Sequence, residues 1–224
     1  MAHKTEMTDC QIQQAVLREL AWDTRVRVAE IGVAVERGVV TLAGTVESWA
    51  KRVAAQQAAH RVPCVLDVVN EIDVRIAGSE GLSDAELAHA VFRALEWHVL
   101  VPHGRILTTV SKGWVTLEGT VETWSQHEDA ELAVRALPGV VRVTNVIKVV
   151  PPAVAGSELR KSIEAALERR AEQEPSQLDL DIHDGRVVLS GIVSSWSEKQ
   201  AIVGTVKGTF GVGAVDDHLQ VSSL

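Results

Sequence analysis

The chain has 224 residues and a formal net charge of −8, which argues against a protein whose main business is wrapping nucleic acid or coating an anionic surface, since both need a dense basic face. Apolar residues make up 46% of it and aromatics only 4%, with six Trp, two Phe and no Tyr, so its cores must be built from Val, Ile, Leu and Ala, which favours a mixed α and β class. Cys10 and Cys64 lack CxxC spacing and read as free thiols, no apolar run nears the ~18 residues of a membrane span, and the first residues lack the apolar stretch of a signal peptide, so the cytoplasm is the expected address.

One stretch occurs three times. Gly38 and Gly44 followed by Trp49 return as Gly113, Gly119 and Trp124, and again as Gly185, Gly191 and Trp196, the copies lying 75 and then 72 residues apart (38 to 113, 113 to 185). A repeat at fixed period means repeated structural units, here modules at 8–75, 83–150 and 157–222 joined by linkers 76–82 and 151–156. Each module is near the lower size limit for independent folding.

Within the first module, Thr8-Asp9 precedes Ile12, Val16 and Leu20 at helical spacing, which predicts a capped amphipathic helix. Its counterparts are Leu87, Val91 and Leu95 after Ser83-Asp84, and Leu159, Ile163 and Leu167 after Ser157. Alternating Ile31, Val33, Val35, a turn at Arg37-Gly38 and a returning Val40, Leu42, Val46 read as a β-hairpin closed by a type I′ turn, as do Lys112-Gly113 and Asp184-Gly185. The second glycine of each copy interrupts the returning strand, so a bulge or a close backbone contact with a helix is expected there. A second helix opens at Ser48-Trp49, Thr123-Trp124 and Ser195-Trp196; Thr123 with Gln126 and Ser195 with Glu198 have capping-box spacing. In the third copy Gly204 and Gly208 weaken this helix by roughly 1 kcal/mol each.

The closing strand alternates Val68, Ile72, Val74, and Asn70, Asn145 and Asp217 share its inward phase. A polar side chain recurring on a core face is expected to hydrogen-bond backbone. Helix, strand, strand, helix, strand, with a helical crossover into the last strand, gives an α+β class: three tandem αββαβ modules, each a small mixed three-stranded sheet covered by two helices. The first linker should bend at its glycines, and the second, with Pro151-Pro152, should be stiffer.

Gly-x-Val-x-Leu-x-Gly-x-Val, an Ala-rich capped helix and Gly-Val-x-x-Val-x-Asn-x-Ile-x-Val, complete from Gly113 to Val149, resemble the BON domain, named for bacterial OsmY and nodulation proteins. The tripled pattern is similar to leaderless three-BON proteins of bacteria. Cys64 departs from it where Gly139 and Gly211 stand, and Phe210 replaces the proline seen at Pro63 and Pro138. The resemblance implies a non-enzymatic module associated with osmotic and envelope stress that contacts phospholipid. It also leaves open a potassium ion held by backbone carbonyls; no other cofactor is expected.

Trp49, Trp124 and Trp196 recur in every module and are expected to pack. Trp22 and Trp97 end the first helix where the third module has Arg169, and Trp114 stands where the others have Val39 and Arg186, on an outward strand phase. These three, dispensable to the fold, are the candidate lipid or partner contacts. Eight histidines come without HExxH, a Cys cluster or paired carboxylates, and neither a Ser-His-Asp pattern nor a phosphate-binding glycine loop occurs, so neither a metal site nor an enzyme is expected. The leading expectation is a stress-associated protein that binds phospholipid surfaces peripherally. The alternative is a potassium-responsive or protein-binding scaffold that rearranges its modules or forms homo-oligomers.

Overall fold

The computed structural model describes residues 7–75, 82–169 and 178–222. The first expected linker lies outside the described residues except for Leu82. The chain forms α1 (Asp9–Trp22), β1 (Ile31–Glu36), β2 (Val39–Val46), α2 (Trp49–His60) and β3 (Asp67–Val74); then α3 (Asp84–Trp97), β4 (Ile106–Ser111), β5 (Trp114–Val121), α4 (Trp124–Arg135), β6 (Arg142–Asn145) and β7 (Lys148–Val149); then α5 (Gly156–Glu168), β8 (Asp179–His183), β9 (Arg186–Val193), α6 (Trp196–Lys207) and β10 (Ala214–Val221). Contacts gather it into two compact units, residues 1–79 with 193–199 and 221–224, and residues 80–192 with 200–220.

Each repeat is a mixed sheet with its hairpin's second strand in the middle: orders β1-β2-β3, β4-β5-β6 with β7 continuing beside β5, and β10-β9-β8. β1 and β2 run antiparallel, while β3 returns parallel to β2 after α2, the crossover a helix must supply. Apolar residues at helical spacing on α1 (Ile12, Val16, Leu20) meet alternating ones on β2 (Val40, Leu42, Val46), all buried.

The turns are type I′, with Arg37 at φ 50° and Gly38 at φ 77°, and likewise Lys112, Gly113, Asp184 and Gly185. Gly44 and Gly119 are not bulges: the register runs unbroken from Ile31 opposite Gly44 to Glu36 opposite Val39. A Cβ on Gly44 would stand 2.1 Å from the Glu30 carbonyl oxygen, and one on Gly119 2.1 Å from that of Arg105. Both carbonyls end a short 3₁₀ turn before the first strand, Val28–Glu30 and His103–Arg105, so the glycine makes room for the chain entering the sheet.

Helix starts differ from the sequence expectation. Thr123 Oγ1 accepts from Gln126 N, but Gln126 Oε1 accepts from Glu122 N, one residue early; Glu198 likewise takes Ser194 N. The reciprocal boxes lie on the first helices, Thr8 with Gln11 and Ser83 with Glu86. Ser157 is not a cap: α5 starts at Gly156, behind Ala155, which has no side-chain bond to offer.

Two polar clamps bind each of the first two modules together. The Asp9 carboxylate accepts from Arg37 N and Gly38 N at 2.8 and 3.0 Å, and Asp84 from Lys112 N and Gly113 N at 2.8 and 3.0 Å, tying the first helix to the hairpin. These backbone donors hold the Asp84 carboxyl below its ordinary value. Asn70 donates to Arg52 O at 3.2 Å and accepts from Ile72 N at 3.2 Å; Asn145 does the same with His127 O at 2.9 Å and Ile147 N at 3.2 Å. The expected inward amide therefore joins the second helix to the last strand. Asp217 accepts from Leu219 N at 2.9 Å. The second linker packs on its own module: Val154 lies 2.8 Å from where a Cβ on Gly211 would be, and Pro151 3.0 Å from one on Gly213.

Candidate surface-binding site

Two of the three candidate tryptophans end a first helix and stand in solvent. Trp22 is 82% exposed and Trp97 72%. Trp22 precedes Asp23, whose carboxylate takes the Arg25 guanidinium at 2.7 Å and that of Arg61 at 3.1 Å. Those bonds, Arg25's first, hold the Asp23 carboxyl well below the usual range, and Arg61 ties the end of α2 to the end of α1.

In the middle module the chain continues past Trp97 into Val99, 95% exposed, and Leu100, 64% exposed. Leu95 and Val101, both buried, pin this tip on either side. His98 N donates to Leu95 O at 3.3 Å and Val101 N to His98 O at 2.9 Å, so two backbone bonds hold the turn while the apolar side chains face water. The Arg93 guanidinium lies 5.2 Å from the centre of the Trp97 ring, a cation–π distance. Val99 and Leu100 were not singled out from sequence, although a signal exists: the first module has Thr24 and Arg25 at the matching positions.

Trp114 is a different kind of residue. Its indole N–H donates to Thr144 Oγ1 at 2.8 Å, the Arg142 guanidinium lies 4.8 Å from its ring, and the side chain is 46% exposed. It lies flat and held on the outer sheet face. Ser111 and Trp114 close the hairpin, whereas Ile106 adjoins the tryptophan corner. The strand rise puts about 17 Å between those two ends, so Trp97 and Trp114 do not form one patch.

A model of the BON domain matches residues 8–76, 83–151 and 156–223. The chain belongs to the BON family. Its BON repeats are also similar to "Osmotically-inducible protein Y" of Escherichia coli (strain K12), with 30% identity over 146 residues, 63% of this chain and 73% of that protein. Among solved structures, the chain is similar at 12% identity to CdsD, described as a structural protein of the type III secretion system of Chlamydia trachomatis. One CdsD structure matches over 93% of this chain and 91% of that one with TM-score 0.27, and its C-terminal domain over 97% and 100% with TM-score 0.26; a likeness this low carries no argument.

The tryptophan that opens the second helix of every BON repeat is half-buried. Arg52 covers Trp49 at 5.0 Å, Lys207 covers Trp124 at 4.6 Å, and the Trp196 ring stacks on His60 at 4.1 Å. Burial lowers the His60 pKa to about 4 against the pull of Asp67, so the imidazole in this stack is neutral at pH 7. The indole nitrogens of Trp49 and Trp124 are buried without a partner. Among the described residues no group of three or more His, Cys, Asp or Glu could hold a metal ion, and no helix is long and apolar enough to cross a membrane.

Proposed function

We propose that this BON protein is a non-enzymatic, stress-associated protein that attaches peripherally to phospholipid surfaces, with the corner at the end of α3 as its main anchor and Trp22 as a second. The observation that carries this reading is the joint exposure of Trp97, Val99 and Leu100 on a tip whose flanks are buried. Exposed apolar side chains have a free-energy cost in water that a bilayer interface removes, and an indole favours the headgroup region because its ring is apolar and its N–H polar. Arg93, 5.2 Å from the Trp97 ring centre, supports the reading as a cation beside the anchor. The name of the osmotically inducible relative supports the link to stress. Anchoring of this kind needs apolar area and no reacting group.

Flotation of the full chain with phosphatidylglycerol-containing vesicles, read together with tryptophan emission, tests the reading. Binding with a blue shift is expected, and Leu100→Ser should weaken it by roughly tenfold to a hundredfold, from the roughly 1.5–3 kcal/mol a buried leucine contributes. Absence of any vesicle-bound fraction at low salt would refute it.

A further inference from the structure

The outer strand of each sheet's hairpin leaves one row of backbone groups facing away from its partner, and the three modules treat that row differently. In a two-residue hairpin the closing pair exchanges both hydrogen bonds. With Ser111 opposite Trp114, the N–H and C=O groups of Thr108 and Val110 therefore face outward. In the first module a side chain from α1 fills the equivalent place: Gln13 Nε2 donates to Val33 O at 2.6 Å. In the third, Arg160 Nη2 donates to Leu180 O at 2.8 Å and pairs with Glu164 at 3.8 Å. The middle module has Ala88 in that position, which cannot reach Thr108.

The surroundings of β4 differ in the same sense. Phe92, one turn beyond Ala88 on the same helix face, is 53% exposed, and Leu107 on the strand itself is 73% exposed. The strand Ile106-Leu-Thr-Thr-Val-Ser111 has no charge and no proline, whereas β8 carries Asp179 and Asp181 and β1 ends in Glu36. Charges, plugs and covered edges are the devices by which sheets avoid pairing with other chains. Among the described residues, β4 has neither a charge nor a plug.

We propose that the β4 edge is a self-association surface on which β4 of a second copy pairs antiparallel about a two-fold axis at Thr108. That register sets Thr108 opposite itself and Ile106 opposite Val110, both favourable cross-strand pairs. It extends the middle sheet to the order β6-β5-β4-β4-β5-β6. The same operation on β8 would oppose Asp179 to Asp181, a like-charge pair. The interface is isologous and closes at two copies, with Phe92 and Leu107 of each copy covered beside the ladder.

The test is sedimentation velocity of the full chain over a concentration series, without lipid, together with amide exchange at Thr108 and Val110. A dimer is expected, with protection of both amides rising as it forms. Moving the third module's plug into the middle one, Ala88→Arg with Phe92→Glu, should abolish dimer and protection while the far-ultraviolet circular dichroism stays unchanged. Leu107→Lys should weaken the dimer without touching α3. A chain monomeric at every concentration overturns the proposal, and so does a dimer that survives Ala88→Arg with Phe92→Glu.

Discussion

Replacing Asn145 with alanine strands two groups at once. Ile147, itself 5% exposed, loses the acceptor for its N–H, and His127 O loses the amide donor at 2.9 Å. The His127 carbonyl lies inside α4 and keeps its helical partner, so its loss is one net hydrogen bond, about 1 kcal/mol, while a buried N–H without a partner costs about 1–3 kcal/mol. Asn145→Ala should therefore destabilise the middle module by about 2–4 kcal/mol. Three linked modules need not unfold in one step, so amide exchange is the assay. The Val146 amide, which donates to Leu117 O at 2.9 Å, should exchange roughly thirtyfold to a thousandfold faster. Asn145→Asp keeps an oxygen for Ile147 N and gives up only the donor, the arrangement in which Asp217 accepts from Leu219 N, and should cost about 1 kcal/mol. Unchanged exchange in the alanine variant, or an aspartate variant as damaged as the alanine one, would refute the reasoning.

Gly119→Ala should destabilise by more than about 4 kcal/mol, because its Cβ would sit 2.1 Å from the Arg105 carbonyl oxygen at a φ of 142°, whereas Gly104→Ala, with open space around it, should stay within about 0.5 kcal/mol; urea unfolding of the two variants makes the comparison. Cys64 holds φ 65° where Gly139 and Gly211 stand, and a side chain there costs about 1–2 kcal/mol, so Cys64→Gly should be more stable than Cys64→Ala by about 1 kcal/mol in thermal melts. His60 is held neutral with its pKa lowered from 6.5 to about 4; its contribution is full above pH 6.5 and declines as pH falls toward 4, since the unfolded chain takes up the proton first. The stability difference between the parent chain and His60→Phe, followed from pH 8 to about pH 4, should shift in favour of the phenylalanine variant on acidification, and a flat difference would contradict the burial argument.

The features readable from the sequence are those whose cause is local. Gly38, Gly113 and Gly185 follow from the positive φ that a two-residue hairpin demands, and the inward phase of Asn70 and Asn145 was enough to predict a backbone partner. The partner's identity was not readable, because Arg52 and His127 are each 18 residues away on a helix whose rotation only packing sets. The Asp9 and Asp84 clamps were hidden for the same reason: a carboxylate at a helix start satisfies the capping pattern whether or not it also reaches a hairpin 28 residues on. For Gly44 the pattern allows two causes, bulge or close approach, and only the carbonyl of Glu30 decides between them.

The candidate contacts were legible as far as the repeats could be compared with one another. Trp22 and Trp97 stood out because Arg169 shows that the fold does not need them, but Trp114 met the same test and proved to be a ring held by Thr144 and Arg142. Dispensability to the fold shows that a side chain is free to serve another end; exposure on a fixed backbone shows which one can. By that criterion the middle module differs from its neighbours at two separate places, Val99-Leu100 against Thr24-Arg25, and Ala88 with Phe92 against Gln13 with Leu17 and Arg160 with Glu164. Val99 and Leu100 replace Thr24 and Arg25, Ala88 replaces Gln13 and Arg160, and Phe92 replaces Glu164 though not the apolar Leu17, so the middle module carries more apolar or shorter side chains at these positions. A repeat that gains apolar surface in this way loses solubility unless something covers it, which is why both proposals, the membrane anchor at the tip after α3 and the second copy along the β4 edge, fall on the middle module.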